Sequence, residues 1–521
     1  MKRYFSRVTT PIVLALSLTY FLSGLALTSS PAIAAWTSLD VCKLSNFNGQ
    51  NVNLGFPRNS ILLPSVGNVK VLVVGVDFAN VRGSESPQQM AGPFELPIVR
   101  DFFSTASYNR LNLEFTIADE VVRLPIPDTS INERTVMLET AKALPTKYKL
   151  NDYRALIIIT TKESVFTNGT ASAGSVVSNS TGQLTNYSVV SGVKPNESRW
   201  LSSPWRTVAH ETGHLLGLMD LWNREDSTAW QGQTAAPFSL MNTGAGWDYA
   251  ADFFAWEKWV MGWIPDVDVK CLQKDSVDIA TELASLDSKS GVRLIVIPMT
   301  SNKVIAVEFR KRSALDFGIT KPGVLVYTVD TSKKNFELPI QLVPSEESMQ
   351  QPFSAQLRDY ERFKKSPLST FDSIESNGLQ IANLGVLDGK EVLISPKSRA
   401  DIKKYLGDLE SQARLAKEAM ERVVAEKAAA ELKAKQEAEA KAAAEKAAAE
   451  LKAKQEADAK AAADKAAADA AAKAAAELKA KQEAEAKAAA NKKKTITCIK
   501  GKKVKKVTAV NPKCPKGYKK K

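Results

Sequence analysis

Both histidines of this 521-residue chain lie in one run, Ala209-His210-Glu211-Thr212-Gly213-His214-Leu215-Leu216-Gly217-Leu218-Met219-Asp220, and that run restricts the fold more than any other. Residues four apart lie one above the other on a helix, so a helix here lets both imidazoles reach one metal ion, with Glu211 beside it. A catalytic zinc takes three protein ligands and keeps a fourth position for water, which a neighbouring carboxylate can deprotonate. Glu211 is placed to be that base. Ser203-Pro204 reads as the start of the helix and Gly217 as its stop, because glycine accepts the left-handed conformation that reverses a chain. The reversal brings Asp220 back under the histidines, so His210, His214 and Asp220 are the expected ligands of one Zn2+. Glu257, in Phe253-Phe254-Ala255-Trp256-Glu257-Lys258-Trp259, is the rival third ligand. Asp220 is preferred, because the Gly217 turn would otherwise have no function.

Downstream, Pro237-Phe238-Ser239-Leu240-Met241-Asn242-Thr243-Gly244 stands at a distance suited to a Met-turn, in which a methionine packs beneath the metal without binding it. Met241 is the expected floor, and Tyr249 just beyond is a candidate donor to the reaction intermediate. The HExxHxxGxxD spacing is the metzincin pattern with aspartate for the third histidine. On His210-Glu211-Thr212-Gly213-His214, Gly217, Asp220 and Ser239-Leu240-Met241-Asn242, the chain resembles the immune inhibitor A family of secreted bacterial zinc metallopeptidases. Weaker echoes are Val71-Leu72-Val73-Val74-Gly75-Val76-Asp77-Phe78, Ser107-Tyr108-Asn109-Arg110-Leu111, Ala255-Trp256-Glu257-Lys258 and Ala306-Val307-Glu308-Phe309-Arg310, so the resemblance covers about residues 60–335. It implies zinc-dependent endopeptidase activity on protein or peptide substrates and an α/β (α+β) metzincin-like domain. It also implies zinc on His210, His214 and Asp220. A structural Ca2+ is compatible with the reading, with no residues assigned to it. The prodomain the resemblance implies is missing or very short, which leaves the activation route open.

Lys2, Arg3 and Arg7 precede an apolar run from Pro11 to about Leu27, and Ala32-Ile33-Ala34 supplies the small residues a signal peptidase reads, so residues 1–34 are the expected signal peptide of an exported protein. Cys42, Cys271, Cys498 and Cys514 suit an oxidising compartment. Spacing does not fix their connectivity. A local Cys498–Cys514 bond would staple the C-terminus and leave Cys42 to join Cys271; the sharper alternative makes Cys42 a removable thiolate ligand of the zinc.

Composition divides the rest. Residues 35–265 read as the catalytic domain, with buried strands from Val69 to Phe78 and from Ala155 to Thr160 and a helix from Asn132 to Leu144. The Ser-, Asn-, Gly- and Thr-rich stretch from Thr167 to Ser203 reads as a long surface loop, with Asn-x-Ser/Thr triplets at Asn168, Asn179, Asn186 and Asn196. Residues 266–396 show strand-length apolar runs suited to a β-sandwich-like domain that packs on the first. Residues 397–491 repeat Glu-Leu-Lys-Ala-Lys-Gln-Glu-Ala from Glu431, Glu450 and Glu477, with glutamate four before lysine at Glu431/Lys435 and Glu437/Lys441. No sustained apolar seam accompanies them, which favours a solitary charged helix over a coiled coil. At ~1.5 Å per residue, ~90 residues make a stalk of ~135 Å.

Residues 492–521, from Lys492 to Lys521, hold thirteen lysines and no acidic residue; elsewhere 57 basic residues meet 57 acidic ones, so the formal charge of +13 sits in this tail. Such a tail suits an anionic cell-envelope polymer. Nucleic acid is not expected, since Tyr518 is the tail's one aromatic for stacking. The combined expectation is a secreted zinc endopeptidase held at the cell surface by stalk and tail. Two alternatives are a surface adhesin with a vestigial peptidase domain and a zinc amidase acting on cell-wall peptides.

Overall fold

Strand β1 (Gly67–Phe78) carries an apolar run whose alternate side chains feed two separate clusters. Val69, Val71 and Val73 join one, while Leu72, Val74, Val76 and Phe78 join the other, as a strand covered on both faces requires. The computed structural model describes residues 37–130, 132–166, 169–193, 203–223, 238–242, 252–274, 278–319, 321–350, 363–385 and 391–521. The expected signal peptide, Tyr249, Asn168 and Asn196 lie outside them.

β1 lies between β2 (Leu111–Ile117) and β4 (Ala155–Thr160), with β3 (Val122–Leu124) beside its end; β6 (Gly182–Val190) and β5 (Gly169–Asn179) follow β4. All pairings are parallel except β5 with β6. One face is covered by α1 (Pro87–Ala91), α2 (Leu96–Ala106) and α4 (Pro204–Leu215), the other by α3 (Glu133–Ala143), whose N-cap Asn132 accepts from Arg134 N and Thr135 N.

Within the stretch from Thr167 to Ser203, the described residues 169–190 are therefore not a long loop. They form the β5–β6 hairpin, closed where Asn179 pairs with Gly182. The polar residues that suggested a loop are interleaved with Val177, Leu184, Tyr187, Val189 and Val190, all buried, and β4 supplies the parallel partner that orders β6. Asn186 is buried with φ +82°; its Oδ1 accepts from Gly174 N at 2.8 Å and its Nδ2 donates to Ile61 O at 3.2 Å. That asparagine is structural.

Further on, β7 (Val269–Cys271), β9 (Leu294–Pro298), β10 (Lys303–Arg310), β11 (Gly323–Asp330) and β12 (Ile340–Leu342) form a five-stranded sheet. A four-stranded sheet holds β8 (Ile279–Glu282), β13 (Ser373–Ser376), β14 (Leu379–Asn383) and β15 (Glu391–Ser395). Ile295, Ile297, Ile305 and Val307 meet Ile381, Val392 and Ile394 between the two sheets. On the reverse face Val296, Val304, Ala306 and Tyr327 join the core that contains α4 and α5 (Ala255–Val260). The expected catalytic and β-rich regions thus share a core, and the described residues as far as Arg414 form one compact unit. Within it, Cys42 is bonded to Cys271. A sulfur held in that bond is not a zinc ligand, and the Cys42 alternative falls.

The short α6 (Glu346–Gln350) precedes α7 (Arg399–Ala490), 92 residues without a break. Ile402 and Leu406 are its buried residues. The second unit, from Leu415, contains the remainder of α7 and a three-stranded sheet in which β16 (Lys494–Lys500) lies between β17 (Lys503–Ala509) and β18 (Lys519–Lys520), stapled by Cys498–Cys514. No helix among the described residues is long and apolar enough to cross a membrane.

Candidate metal centre

Helix α4, which carries both histidines, opens at Ser203 and Pro204, as expected, although the Ser203 side chain makes no capping bond. It closes in a Schellman turn: Gly217 N donates to His214 O at 2.8 Å and Leu218 N to Gly213 O at 3.0 Å, with Gly217 at φ +101°. The carbonyls left over at this end are met by a segment the sequence did not single out. Leu63 N donates to Leu215 O at 2.9 Å, Arg58 Nε to Leu216 O at 2.8 Å and Asn53 N to Gly217 O at 3.0 Å. Burial lowers the Arg58 guanidinium pKa to about 10.

The turn brings Asp220 onto both histidines. His210 Nε2 lies 3.2 Å from Asp220 Oδ1 and His214 Nε2 lies 3.4 Å from Oδ2, all three residues being buried. Each imidazole is anchored through its other nitrogen: His210 Nδ1 is 2.9 Å from Leu240 O, and His214 Nδ1 is 2.9 Å from Leu218 O. A carbonyl can only accept, so both Nδ1 atoms carry hydrogen, and in a neutral ring the Nε2 lone pair then faces the carboxylate. Lone pairs facing an anion require a cation between them, either a proton or a metal ion. One donor atom from each residue can be chosen so that all three lie within 4.8 Å of one another. Bonds of about 2.0–2.1 Å arranged tetrahedrally separate ligands by roughly 3.4 Å, so the residues fit a small divalent ion. Where a proton takes that place, the carboxylate outweighs the burial that would lower the His214 pKa and raises it to about 9. Asp220, which burial alone would push up, is held far below the usual carboxylate range by His214 and by bonds from both imidazoles.

Glu211 is buried beside the pair, and burial raises its pKa against the opposing pull of His214 and His210. The first residue of β5 runs against it: a Cβ on Gly169 would stand 2.6 Å from Glu211 Oε1, so a larger residue there would have to displace the carboxylate.

Met241, the expected floor, packs against the helix that carries both histidines. It is fully buried, and a Cβ on Gly213 would lie 2.4 Å from its sulfur, which seats the methionine against the helix between the two ligand turns. Glu257, the rival ligand, is outside the metal-capable group found among the described residues. Its Oε2 accepts from Ser239 Oγ at 2.9 Å and Phe254 N at 2.8 Å, so it supports the methionine segment from below. Burial, with Glu308 adding to it, raises the Glu257 pKa to about 8. Arg310 holds both sides of the same layer, donating to Phe238 O at 3.1 Å and Phe253 O at 3.2 Å while paired with Glu308 and Asp316.

Sequence reasoning missed Asn335, whose amide accepts from Asp220 N at 2.7 Å and donates to Asp220 Oδ2 at 2.9 Å. Trp222 Nε1 donates to Asp220 Oδ1 at 3.1 Å. Neither has a motif, although Trp222 lies two residues from Asp220 in the chain. No protein-family model and no curated protein matches the chain.

Proposed function

We propose that this protein is a secreted zinc-dependent endopeptidase, with His210, His214 and Asp220 as zinc ligands and Glu211 as general base. The observation that carries the reading is the pair of Nε2 atoms 3.2 and 3.4 Å from one buried carboxylate with a second, Glu211, alongside. Zinc bound there would supply Lewis acidity and lower the pKa of a bound water. Glu211 takes the proton from the attacking water and passes it to the leaving amine, and its burial favours that return. Leu240 O and Leu218 O hold the two rings in the ligating tautomer. The resemblance to the immune inhibitor A family supports the same chemistry. The adhesin alternative leaves Glu211 without a use, and an amidase would employ the same groups on a different amide.

The basic tail supports retention at an anionic surface. In its sheet Lys500 faces Lys503, and Lys519 and Lys520 face Ile499 and Cys498, with no acidic side chain in residues 492–521.

Casein cleavage by the purified chain, with and without a chelator, tests the proposal. Cleavage is expected to stop with chelator, return with zinc, and fall at least about 100-fold in Glu211→Gln while zinc affinity persists. Chelator-insensitive cleavage, or an unimpaired Glu211→Gln enzyme, would sink it.

A further inference from the structure

We infer that Asn335 is the positioning residue of the Asp220 carboxylate, so that the metal centre is completed by the loop between β11 and β12 and not by α4 and its turn alone. The inference rests on reading His210, His214 and Asp220 as ligands. Asn335 grips Asp220 in both senses, its Oδ1 accepting from the backbone N–H at 2.7 Å and its Nδ2 donating to Oδ2 at 2.9 Å. Oδ2 is the oxygen that faces His214, while Oδ1, which faces His210, receives Trp222 Nε1 at 3.1 Å. Each carboxylate oxygen therefore has one donor behind it and one imidazole nitrogen in front. An aspartate so held keeps both oxygens turned toward the histidines, which is how outer hydrogen bonds orient metal ligands.

The loop is built to present this amide. Phe336 and Leu338 stand at φ +68° and +56°, a left-handed backbone that bulky side chains adopt only when their surroundings over-determine it. The surroundings here do so. Asn335 N donates to Gln50 Oε1 at 3.1 Å, Asn48 Nδ2 to Lys333 O at 2.9 Å and Phe47 N to Thr331 O at 3.3 Å, while Phe336 meets the Trp222 ring edge-on at 4.7 Å. The segment after Cys42, which also caps the ligand helix, is thus tied to the loop that orients the third ligand. Two distant stretches of chain converge on one carboxylate.

The test uses the full chain, with zinc affinity measured by competition against a chromophoric chelator and with the visible d–d bands of the Co2+-loaded protein. Asn335→Ala is expected to weaken zinc binding about 10- to 100-fold, change the Co2+ spectrum and lower kcat with KM little altered. Asn335→Asp keeps the size and the acceptor for Asp220 N–H but sets a negative oxygen against Oδ2, so it is expected to bind zinc at least as poorly. It carries the test should the alanine variant not fold. Asn302→Ala, which removes bonds to Asp330 and Ser332 in the adjoining turn without touching Asp220, is expected to retain wild-type affinity and spectrum. Wild-type affinity and spectrum in a folded Asn335→Ala or Asn335→Asp protein would overturn the inference, as would an equal loss in Asn302→Ala. A wild-type chain that binds no zinc defeats the metal reading itself and takes this inference with it.

Discussion

Glu257 is a buried carboxyl whose acidity makes it a detector of the fold. Its pKa is about 8 in the native protein against a usual 4.5, so between those values the unfolded chain releases a proton that the folded chain keeps. Stability contributed by this group is present below the unfolded value and is lost as pH rises toward about 8. Glu257→Gln can still accept from Ser239 and Phe254 but cannot ionise. The fall in stability between pH 5 and pH 8, measured by urea unfolding, is expected to be smaller in the variant by a few kcal/mol. Parallel pH profiles for the two proteins would show that Glu257 is ionised in the fold. Gly213 gives a second residue-scale prediction. Alanine in a helix interior is ordinarily favoured over glycine by about 1 kcal/mol. At Gly213 the new Cβ meets the Met241 sulfur, and overpacking costs about 1–3 kcal/mol, so Gly213→Ala is expected to lower the denaturation midpoint. A raised midpoint would mean that the Met241 side chain gives way at little cost. His210, His214, Asp220 and Met241 were legible because their spacing along the chain carries the geometry. Asn335 and Arg310 were not, because they act on Asp220 and Phe238 from 115 and 72 residues away, across folds in the chain that no local pattern encodes.

At the scale of elements, strands with a continuous apolar run were readable, and the strand dressed in polar residues was not. β1 and β4 announce themselves through valine and isoleucine, whereas β5 is half-exposed along most of its length and owes its order to β6. Its Ser, Thr and Gly residues have strand geometry imposed by a neighbour, which composition alone reads as loop. The helix α7 is the opposite case, since its residues from Glu410 onward are exposed and intrinsic propensity has to supply its order. The ion pairs it shows, Lys417–Glu421, Lys435–Glu439 and Lys452–Glu456, span 3.9–4.0 Å and place lysine before glutamate, the weaker orientation. They differ from the Glu431/Lys435 and Glu437/Lys441 pairs that the sequence suggested. Such exposed pairs contribute little, and alanine carries the helix. An isolated peptide of residues 410–490 is therefore expected to be mostly helical by circular dichroism at low temperature, with ellipticity little changed by molar salt. A large loss of helicity in salt would return the main role to the ion pairs.

At the scale of the molecule, the core that buries α4 and Met241 also contains Val304, Ala306 and Tyr327, and Glu308 and Arg310 lie beneath the same floor. The β-rich region is thus part of the foundation beneath the candidate metal centre of His210, His214 and Asp220. Charge follows a different partition. The formal excess of +13 belongs to residues 492–521, and like charges opposed across strands, as at Lys500 and Lys503, destabilise a small sheet that Cys498–Cys514 has to staple. A polyanion laid on this sheet would relieve the repulsion and release its own counterions, so binding should weaken steeply with salt. The full chain is accordingly expected to bind phosphatidylglycerol vesicles or immobilised polyphosphate at low ionic strength and to leave them in molar NaCl. Deleting residues 491–521 should abolish that binding while zinc affinity and casein cleavage stay at the level of the intact chain. Retention of the truncated protein on either surface would place the contact elsewhere. Salt-insensitive binding by the intact chain would show that charge is not what holds it.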